Sequence, residues 1–249
     1  MEAQITIIYI TDNALDERLA EVCKKYLLIA AKGKPLLTVS QKPLDFGENI
    51  CVGDIGRNGL SIDKQIREGL LRTKTRFIAI AEHDCIYSEE HFSWLPPEEK
   101  HFYYNHNNWL LQYFNPKHPD YDGMFSYKRR MVQSQLIAGR ESMLEATNQK
   151  IEILSDPKVQ VGWPVRTRLG EPGTTEANHA YRVFKSKGLL NKWLKVKKYI
   201  TKHNAKEFGT QIPNIDVRHG GNLTGARRGK HRRFALEPWG TMEDIMSIE

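Results

Sequence analysis

Hydrophobic residues in the first third of the chain recur with two alternating periods, one typical of strands and one typical of helices. Gln4–Ile10 is β-branched and aromatic, which favours a strand, whereas Leu15–Ala31 places apolar residues three and four positions apart, which favours a helix. The alternation continues with predicted strands over Leu36–Val39, Asn49–Val52 and Arg76–Ala81 and a predicted helix over Ser61–Arg72. This order predicts an α/β fold with a mostly parallel central sheet flanked by helices.

The second half of the chain is less regular. Phe102–Tyr104 and Trp109–Gln112 are predicted to pair as a hairpin, and Gln135–Ile137 is predicted to run into a helix over Arg140–Lys150. The remaining predicted elements are a Gly- and Pro-containing loop over Gly162–Asn178 and a basic amphipathic helix over Gly188–His203. We interpret the apolar stripe of that helix as facing the core rather than a membrane.

Charge is distributed unevenly along the 249 residues. The net charge is +7, but the segment from Arg182 to Arg233 holds 15 Lys and Arg against two acidic residues. Such asymmetry favours a polyanionic partner. A nucleic acid, an anionic membrane face and a phosphorylated small substrate all qualify, and a merely solvated basic surface is the alternative. No apolar run is long enough to span a bilayer and no signal-like core begins the chain, so we expect a cytoplasmic protein. Three cysteines without CxxC spacing argue against a zinc site.

Acidic residues follow the predicted strand over Arg76–Ala81 directly, as Glu82-His83-Asp84. Carboxylates at the end of a buried strand are costly unless a positive group meets them, and Mg²⁺ or Mn²⁺ carrying a diphosphate is one such group. A helix N-cap or a surface turn is the plainer interpretation. Two further polar segments, Thr11–Asn13 and Asp54–Asn58, are predicted at the same carboxyl edge of the sheet, where ligands of parallel α/β proteins collect. The glycine-rich loop over Gly53–Gly59 matches neither a Rossmann nor a Walker sequence.

These residues, with several later motifs, resemble the GT-A type of glycosyltransferase, and more narrowly a little-characterised set of bacterial and phage GT-A-like proteins. The motifs that carry the resemblance are Gln65-Ile66-x-x-Gly69-Leu70, Ala81-Glu82-His83-Asp84, Phe102-Tyr103-Tyr104-Asn105 with Trp109, Gly170-Glu171-Pro172-Gly173, and Pro213-Asn214-Ile215-Asp216-Val217-Arg218-His219-Gly220-x-Asn222-Leu223-Thr224. The resemblance implies a GT-A-like fold. Residues 1–180 would form the nucleotide-sugar-binding core, and residues 181–249 a basic helix and C-terminal segment that complete the same domain.

The resemblance also implies a reaction, in which a sugar moves from a nucleotide-sugar, foremost a UDP-sugar, with the help of Mn²⁺ or Mg²⁺. Asp84 and His219 are the implied metal ligands, and Glu171, with Glu176 as second choice, is the implied catalytic base. Charged helpers near the leaving diphosphate stabilise it. The implied nucleotide-sugar site comprises Thr11, Asp12, Asn13, Asp54, Arg57, Lys64, Gln65, Glu82 and Arg218.

The basic C-terminal third suggests the acceptor. Our leading hypothesis is DNA that carries a hydroxymethylated pyrimidine, in a bacterial or phage-infected cytoplasm, because basic residues supply phosphate contacts and interleaved aromatics such as Trp193, Tyr199, Phe234 and Trp239 stack on bases. The predicted DNA contacts are Lys195, Lys198, Arg227, Arg228, Lys230, Arg232 and Arg233. Two alternatives stay open: a transferase of lipopolysaccharide, capsule or another glycan that works at an anionic membrane face, and a non-catalytic nucleic-acid-binding protein.

Overall fold

The computed structural model describes residues 3–155, apart from positions 115, 117, 118 and 129, together with residues 171–174, 188, 205–222 and 230–248. Its strands are β1 Ile5–Thr11, β2 Leu36–Ser40, β3 Glu48–Cys51, β4 Phe77–Glu82, β5 Cys85–Ile86, β6 Phe102–Asn105, β7 Asn108–Gln112, β8 Phe125–Tyr127, β9 Leu136–Gly139, β10 Ala205–Phe208 and β11 Asn214–Arg218. Its α-helices are α1 Glu17–Ala31, α2 Gly59–Arg72, α3 Glu89–Ser93, α4 Arg140–Leu154 and α5 Met242–Met246.

The strands form two sheets. Seven of them form the large sheet in the order β10-β6-β9-β4-β1-β2-β3, and four form the small sheet in the order β5-β11-β7-β8. In the large sheet β9 runs antiparallel to β4 and β6, whereas β1, β2, β3 and β4 pair in parallel and β10 pairs in parallel with β6. The prediction of an α/β fold with a mostly parallel central sheet flanked by helices is confirmed.

Helices cover both faces of the large sheet because its inner strands are apolar on both sides. Along β1, Ile7 and Tyr9 belong to the core cluster that includes α1, while Ile8 and Ile10 belong to the cluster that includes α2. This alternation follows the two-residue period of a strand. Packing on both faces therefore fixes the register of β1 in the centre of the sheet.

The motif Gln65-Ile66-x-x-Gly69-Leu70 is the face of α2 that packs on the sheet. Ile66 and Leu70 are fully buried in the core. A Cβ on Gly69 would lie 2.7 Å from Cγ2 of Ile8, so only glycine lets the helix approach β1 this closely. The helix begins at a capping box in which the Asn58 side chain accepts hydrogen bonds from the backbone N–H groups of residues 60 and 61.

The predicted hairpin over Phe102–Tyr104 and Trp109–Gln112 is wrong. Both segments are strands, but β6 lies in the large sheet and β7 in the small one. The reason is that each pairs in parallel with a strand from the later segment, β10 beside β6 and β11 beside β7. The chain therefore crosses from the large sheet to the small sheet twice, between β6 and β7 and between β10 and β11. Asn107 lies in the first crossing, and its Nδ2 donates to the backbone oxygens of Thr210 and Gln211 in the second.

Residues 205–222 thus contribute β10 to the large sheet and β11 to the small sheet. No helix in the described residues is long and apolar enough to cross a membrane. Most of the predicted loop over Gly162–Asn178 and of the predicted basic helix over Gly188–His203 lies outside the described residues.

Candidate active site

β1, β4 and β11 end at one edge of the molecule, and the residues that follow them form the candidate site. His83 links the first two segments, since its Nδ1 lies 2.9 Å from Thr11 Oγ1 and 3.5 Å from Asp12 Oδ1. Asp84 links the segment after β4 to the segment after β11, since its Oδ2 lies 3.5 Å from Nε2 of His219. The site is therefore built from both sheets.

His83, Asp84 and His219 form a group that could hold a metal ion, with one ligand atom from each within 4.8 Å of the others. Two ligand atoms that each lie about 2.2 Å from one ion are at most about 4.4 Å apart, so only a small contraction is needed. Asp84 and His219 were expected from the sequence, whereas His83 was not. Two imidazoles and one carboxylate suit Mn²⁺ and its transition-metal neighbours better than Mg²⁺, which prefers oxygen ligands.

The ring nitrogens of the two histidines are engaged differently. Thr11 occupies Nδ1 of His83, so a cation would bind that ring through Nε2, with Thr11 orienting it. The backbone N–H of Gly221 donates to Nδ1 of His219 across 3.2 Å, which places the proton of a neutral ring on Nε2, toward Asp84. Ligation through Nε2 of His219 requires the other tautomer and therefore the loss of the Gly221 contact.

Asn222 holds two of these residues in place. Its Nδ2 donates to Asp84 Oδ2 across 2.8 Å, and its Oδ1 accepts from the backbone N–H of His219 across 2.6 Å. A further backbone bond runs from Val217 N to the carbonyl oxygen of Asp84, at 2.8 Å. The turn after β4 is thus tied to β11 by a backbone bond and to the turn after β11 by the Asn222 side chain.

The two carboxyl groups of the Glu-x-Asp pair differ in ionisation. Burial alone would raise the pKa of Asp84, but its contact with His219 and the nearby charges of His83 and Arg218 hold that pKa well below its usual range. Burial and then the Asp84 charge raise the pKa of Glu82 to about 8. Asp84 is therefore the more acidic of the two carboxyl groups and the better candidate for an ionised ligand.

Arg57 connects the loop after β1 with the loop that carries His219. Its Nε contacts Asp12 Oδ2, and its Nη2 donates to the carbonyl oxygen of Gly221 across 3.1 Å. Burial tends to raise the pKa of Asp12, but His83, the Ala14 backbone N–H and Arg57 together lower it. Arg57 thus lies, half exposed, between the loop after β1 and the loop that carries His219.

Several residues that were expected at the nucleotide-sugar site have other partners. Gln65 is buried, and its Nε2 donates to the carbonyl oxygens of Thr11 and Val39, so it joins β1 to β2. The Oδ1 of Asn13 accepts from the backbone of residues 41 and 42. Asp54 accepts from the Gly56 backbone N–H within its own loop, and Lys64 lies exposed on α2.

A second charged group faces Glu82 from the small sheet. Lys128 Nζ contacts Asp216 Oδ2, and Nε of Arg218 lies 3.5 Å from Asp216 Oδ1. Lys128 and Arg218 both act electrostatically on Glu82. This group extends the site from the metal cluster toward the small sheet.

Glu171 enters the site from a tight turn. The Thr174 N–H donates to the Glu171 carbonyl oxygen across 2.9 Å, and Gly173 has φ of 76°. A type II turn requires a positive φ at its third position, which Gly173 supplies, and proline is common at its second position. The hydroxyl of Tyr104 donates to the Pro172 carbonyl oxygen across 2.6 Å, which fixes this turn to β6. The Glu171 charge acts on Glu82.

Glu176, the second choice for the catalytic base, lies outside the described residues. The predicted DNA contacts divide into two sets, and Lys195, Lys198, Arg227 and Arg228 also lie outside the described residues. Lys230, Arg232 and Arg233 are exposed, and Arg232 forms a backbone bridge with Phe125. Two of the expected base-stacking aromatics contact other rings of the protein. The exposed Phe234 lies against Trp109 and Phe125, and the partly buried Trp239 lies against Tyr26.

No family model and no curated protein sequence matches the chain. Among solved structures, it is similar to a glycosyltransferase involved in glycosylation of the major capsid of PBCV-1, with 10% identity, a TM-score of 0.41, and 66% of this chain and 72% of that chain covered. It is also similar to the apo-form glycosyltransferase GlyE of Streptococcus pneumoniae TIGR4, with 9% identity, a TM-score of 0.43, and coverage of 75% and 44%. The bifunctional IspDF of Campylobacter jejuni shows 14% identity, a TM-score of 0.38, and coverage of 62% and 46%.

Proposed function

We propose that this chain is a metal-dependent glycosyltransferase that moves a sugar from a nucleotide-sugar to an acceptor hydroxyl. The observation that carries the proposal is the convergence of Asp84, His83 and His219 at the carboxyl edge of the large sheet, with Arg57 and Arg218 beside them. An ionised carboxylate, two imidazoles and two guanidinium groups at one edge suit a cation and a diphosphate together. The motif resemblance to GT-A enzymes supports the same activity.

Asp84, His83 and His219 would hold the cation, which would supply positive charge at the leaving diphosphate. Asn222 keeps Asp84 and the His219 backbone in register. Arg57 and Arg218 add positive charge that persists at every pH of interest, because guanidinium does not deprotonate in proteins. Their role is to stabilise the negative charge that develops as the glycosidic bond breaks.

Glu171 is the proposed base that takes the proton of the acceptor hydroxyl. Its turn is fixed by Tyr104, and Glu171 interacts electrostatically with Lys150 of the buried Lys150–Asp63 pair. A carboxylate at this position can accept the proton as the hydroxyl attacks. We expect Glu171→Gln to lower kcat by at least about 100-fold while nucleotide affinity changes little.

The donor is tested by a thermal-shift screen of UDP-, GDP-, CMP- and dTDP-sugars with Mn²⁺. A donor at 100 times its dissociation constant stabilises the folded state by about 2.7 kcal/mol, which raises the melting temperature. Asp84→Asn should abolish the Mn²⁺-dependent part of that shift. If Mn²⁺ binds but no nucleotide-sugar shifts the wild-type protein, the metal site stands and the transferase proposal fails.

The acceptor on this proposal is DNA with a hydroxymethylated pyrimidine. The charge of the C-terminal third supports it, together with the exposed Lys230, Arg232 and Arg233 in the described residues. Phosphate contacts make affinity fall with salt, with a log–log slope of about −0.9 for each contact, so three contacts predict a slope near −3 or steeper. A flat salt dependence for duplex DNA would favour a glycan acceptor instead. DNA binding without any nucleotide-sugar binding would favour a non-catalytic nucleic-acid-binding protein.

A further inference from the structure

The aromatic residues that are exposed in the described part of the chain lie on one structural unit. Each belongs to the hairpin of β7 and β8 or to residues 230–234 beside it, and the four are Phe114, Tyr121, Tyr127 and Phe234. The hairpin holds the later segment in place, because Phe125 and Arg232 exchange two backbone hydrogen bonds of 2.9 Å. The exposed cations Lys230, Arg232 and Arg233 are therefore carried on the same unit as the exposed rings.

Phe114 follows β7 in a loop that packs against the turn carrying His219. The backbone N–H of the residue before Phe114 donates to the carbonyl oxygen of Arg218 across 2.8 Å. A Cβ on Gly220 would lie 2.9 Å from Cδ of Pro116, so the loop and the turn also meet there. Because Arg218 and Gly220 flank His219 in the chain, the Phe114 loop lies directly beside this proposed metal ligand.

The backbone of Phe114 has a conformation that a bulky residue rarely adopts. Its φ is 37°, in the left-handed region, and Asp122 Oδ1 holds it there by accepting from the Phe114 N–H across 2.6 Å. Phe114 is 64% exposed, more than any other large apolar side chain in the described residues, so its ring gains little from burial. Backbone strain that packing does not repay is typical of functional positions.

The surroundings of Phe114 favour a base of DNA as the group that covers its ring. An exposed aromatic ring offers a flat face on which any base can stack. The same loop carries Tyr121, whose ring stacks on His231 at 4.8 Å, and His231 lies in sequence between the exposed Lys230 and Arg232. These cations suit the phosphates on either side of a base. A neutral glycan could also stack on the ring, but it carries no charge for the cations.

We infer that Phe114 is a stacking platform for the pyrimidine base of the acceptor, which it holds beside the proposed metal site. The inference rests on the proposed function and specifies how the acceptor is bound. A base must leave the helical stack to reach such a ring, so the platform binds an unpaired base. The cations of residues 230–233 contact the neighbouring phosphates.

The test is fluorescence anisotropy with labelled single strands, so it does not depend on turnover. One strand carries a single hydroxymethylcytosine among abasic sugar–phosphate units, and the other strand, of equal length, is wholly abasic. The wild-type protein should bind the first strand about 10-fold more tightly, because only that strand has a base to stack. Phe114→Asn should abolish this preference, whereas Phe114→Trp, which keeps an aromatic ring, should retain it.

Asparagine also separates a binding role of Phe114 from a structural one. It tolerates the left-handed backbone, so Phe114→Asn should not lower the melting temperature, although the ring contact with Tyr113 is lost. Lys32→Asn is the matched control, because Lys32 is exposed and left-handed, with φ of 49°, but lies at the end of α1. It should keep the wild-type preference. Lys230→Gln should weaken binding of both strands equally, as loss of a phosphate contact does.

The outcomes separate the platform from the proposed function. Equal binding of the two strands by the wild-type protein, a preference that survives in Phe114→Asn, or a loss of UDP affinity in that variant would overturn the platform but leave the transferase proposal intact. Binding of neither strand would overturn the platform and the DNA acceptor together. A wild-type protein that binds Mn²⁺ but no sugar-nucleotide would overturn the proposed function itself. Should Phe114→Asn not fold, Phe114→Gly and the wild-type comparison decide by the same criteria.

Discussion

Replacing Asn222 by alanine should weaken metal binding without removing a metal ligand. The side chain donates to Asp84 Oδ2 across 2.8 Å and accepts from His219 N across 2.6 Å. A hydrogen bond to a charged group contributes about 1.5–3 kcal/mol, and loss of a residue that orients metal ligands typically costs 10–100-fold in metal affinity. We therefore expect Asn222→Ala to raise the Mn²⁺ dissociation constant by about 10–100-fold.

Calorimetric titration with Mn²⁺ measures the effect, and Asn107→Ala provides the control. Asn107 makes two comparable hydrogen bonds, to the backbone oxygens of Thr210 and Gln211, where the chain crosses between the sheets. Its loss should lower the melting temperature but leave Mn²⁺ affinity unchanged. Unaltered Mn²⁺ affinity in a folded Asn222→Ala protein would refute the idea that the turn after β11 orients the ligands.

Three further predictions concern stability and the metal ligands. Burial lowers the pKa of His91 to about 3, so the unfolded chain binds a proton below about pH 6.5 that the folded chain does not; His91→Phe should therefore reduce the stability lost between pH 7 and pH 5 by about 2 kcal/mol in urea unfolding. Gly69→Ala should destabilise the protein by about 1–2 kcal/mol despite the helix propensity of alanine, whereas Gly59→Ala, which meets nothing within 4 Å, should not. Saturating Zn²⁺, a diamagnetic substitute, should move the His219 proton to Nδ1 in ¹⁵N NMR and break the Gly221 hydrogen bond; an unchanged tautomer would exclude ligation through Nε2.

The first half of the fold was predictable because its strands are apolar on both faces and its helices carry clear caps. The predicted strand over Gln4–Ile10 and helix over Ser61–Arg72 correspond to β1 and α2 within a residue or two at each end. The pairing of the strands after residue 101 was not predictable in the same way. Local pattern identifies β6 and β7 as strands. Each has one antiparallel partner nearby in the chain, β9 or β8, but their parallel partners β10 and β11 lie about 100 residues later, and no local signal specifies such pairing.

The residues of the candidate site also differ in how far the sequence alone identifies them. Asp84 was identifiable because a carboxylate after a buried strand needs a positive partner. If β4 continued, the side chain of His83 would point to the opposite face from those of Glu82 and Asp84, so the sequence does not indicate His83 as a ligand. In the structure β4 ends at Glu82, and the chain turns there. The signal for Asn222 was present in its spacing, three residues after His219, which is what a side chain needs to reach back to a backbone N–H within one turn. Its second partner, Asp84, lies 138 residues earlier in the chain, and this contact is seen only in the tertiary structure.

The origin of the proposed ligands would couple metal binding to the packing of the two sheets. Asp84 and His219 are held together within the small sheet, because Asp84 precedes β5 and its carbonyl oxygen accepts from Val217 N of β11. His83 is bonded to Thr11 of the large sheet, so the position of its ring relative to the other two ligands depends on how the sheets pack. Chain crossings at Asn105–Asn108 and at Phe208–Asn214 connect the sheets, and both place their polar side chains in mutual hydrogen bonds. A cation that binds only the assembled site stabilises that packing by mass action. Because Asn107→Ala is expected to keep the wild-type Mn²⁺ affinity, saturating Mn²⁺ should stabilise both proteins equally, and the variant should lose about as much melting temperature with Mn²⁺ as without it. A larger loss with Mn²⁺ would show that this crossing also positions the metal ligands.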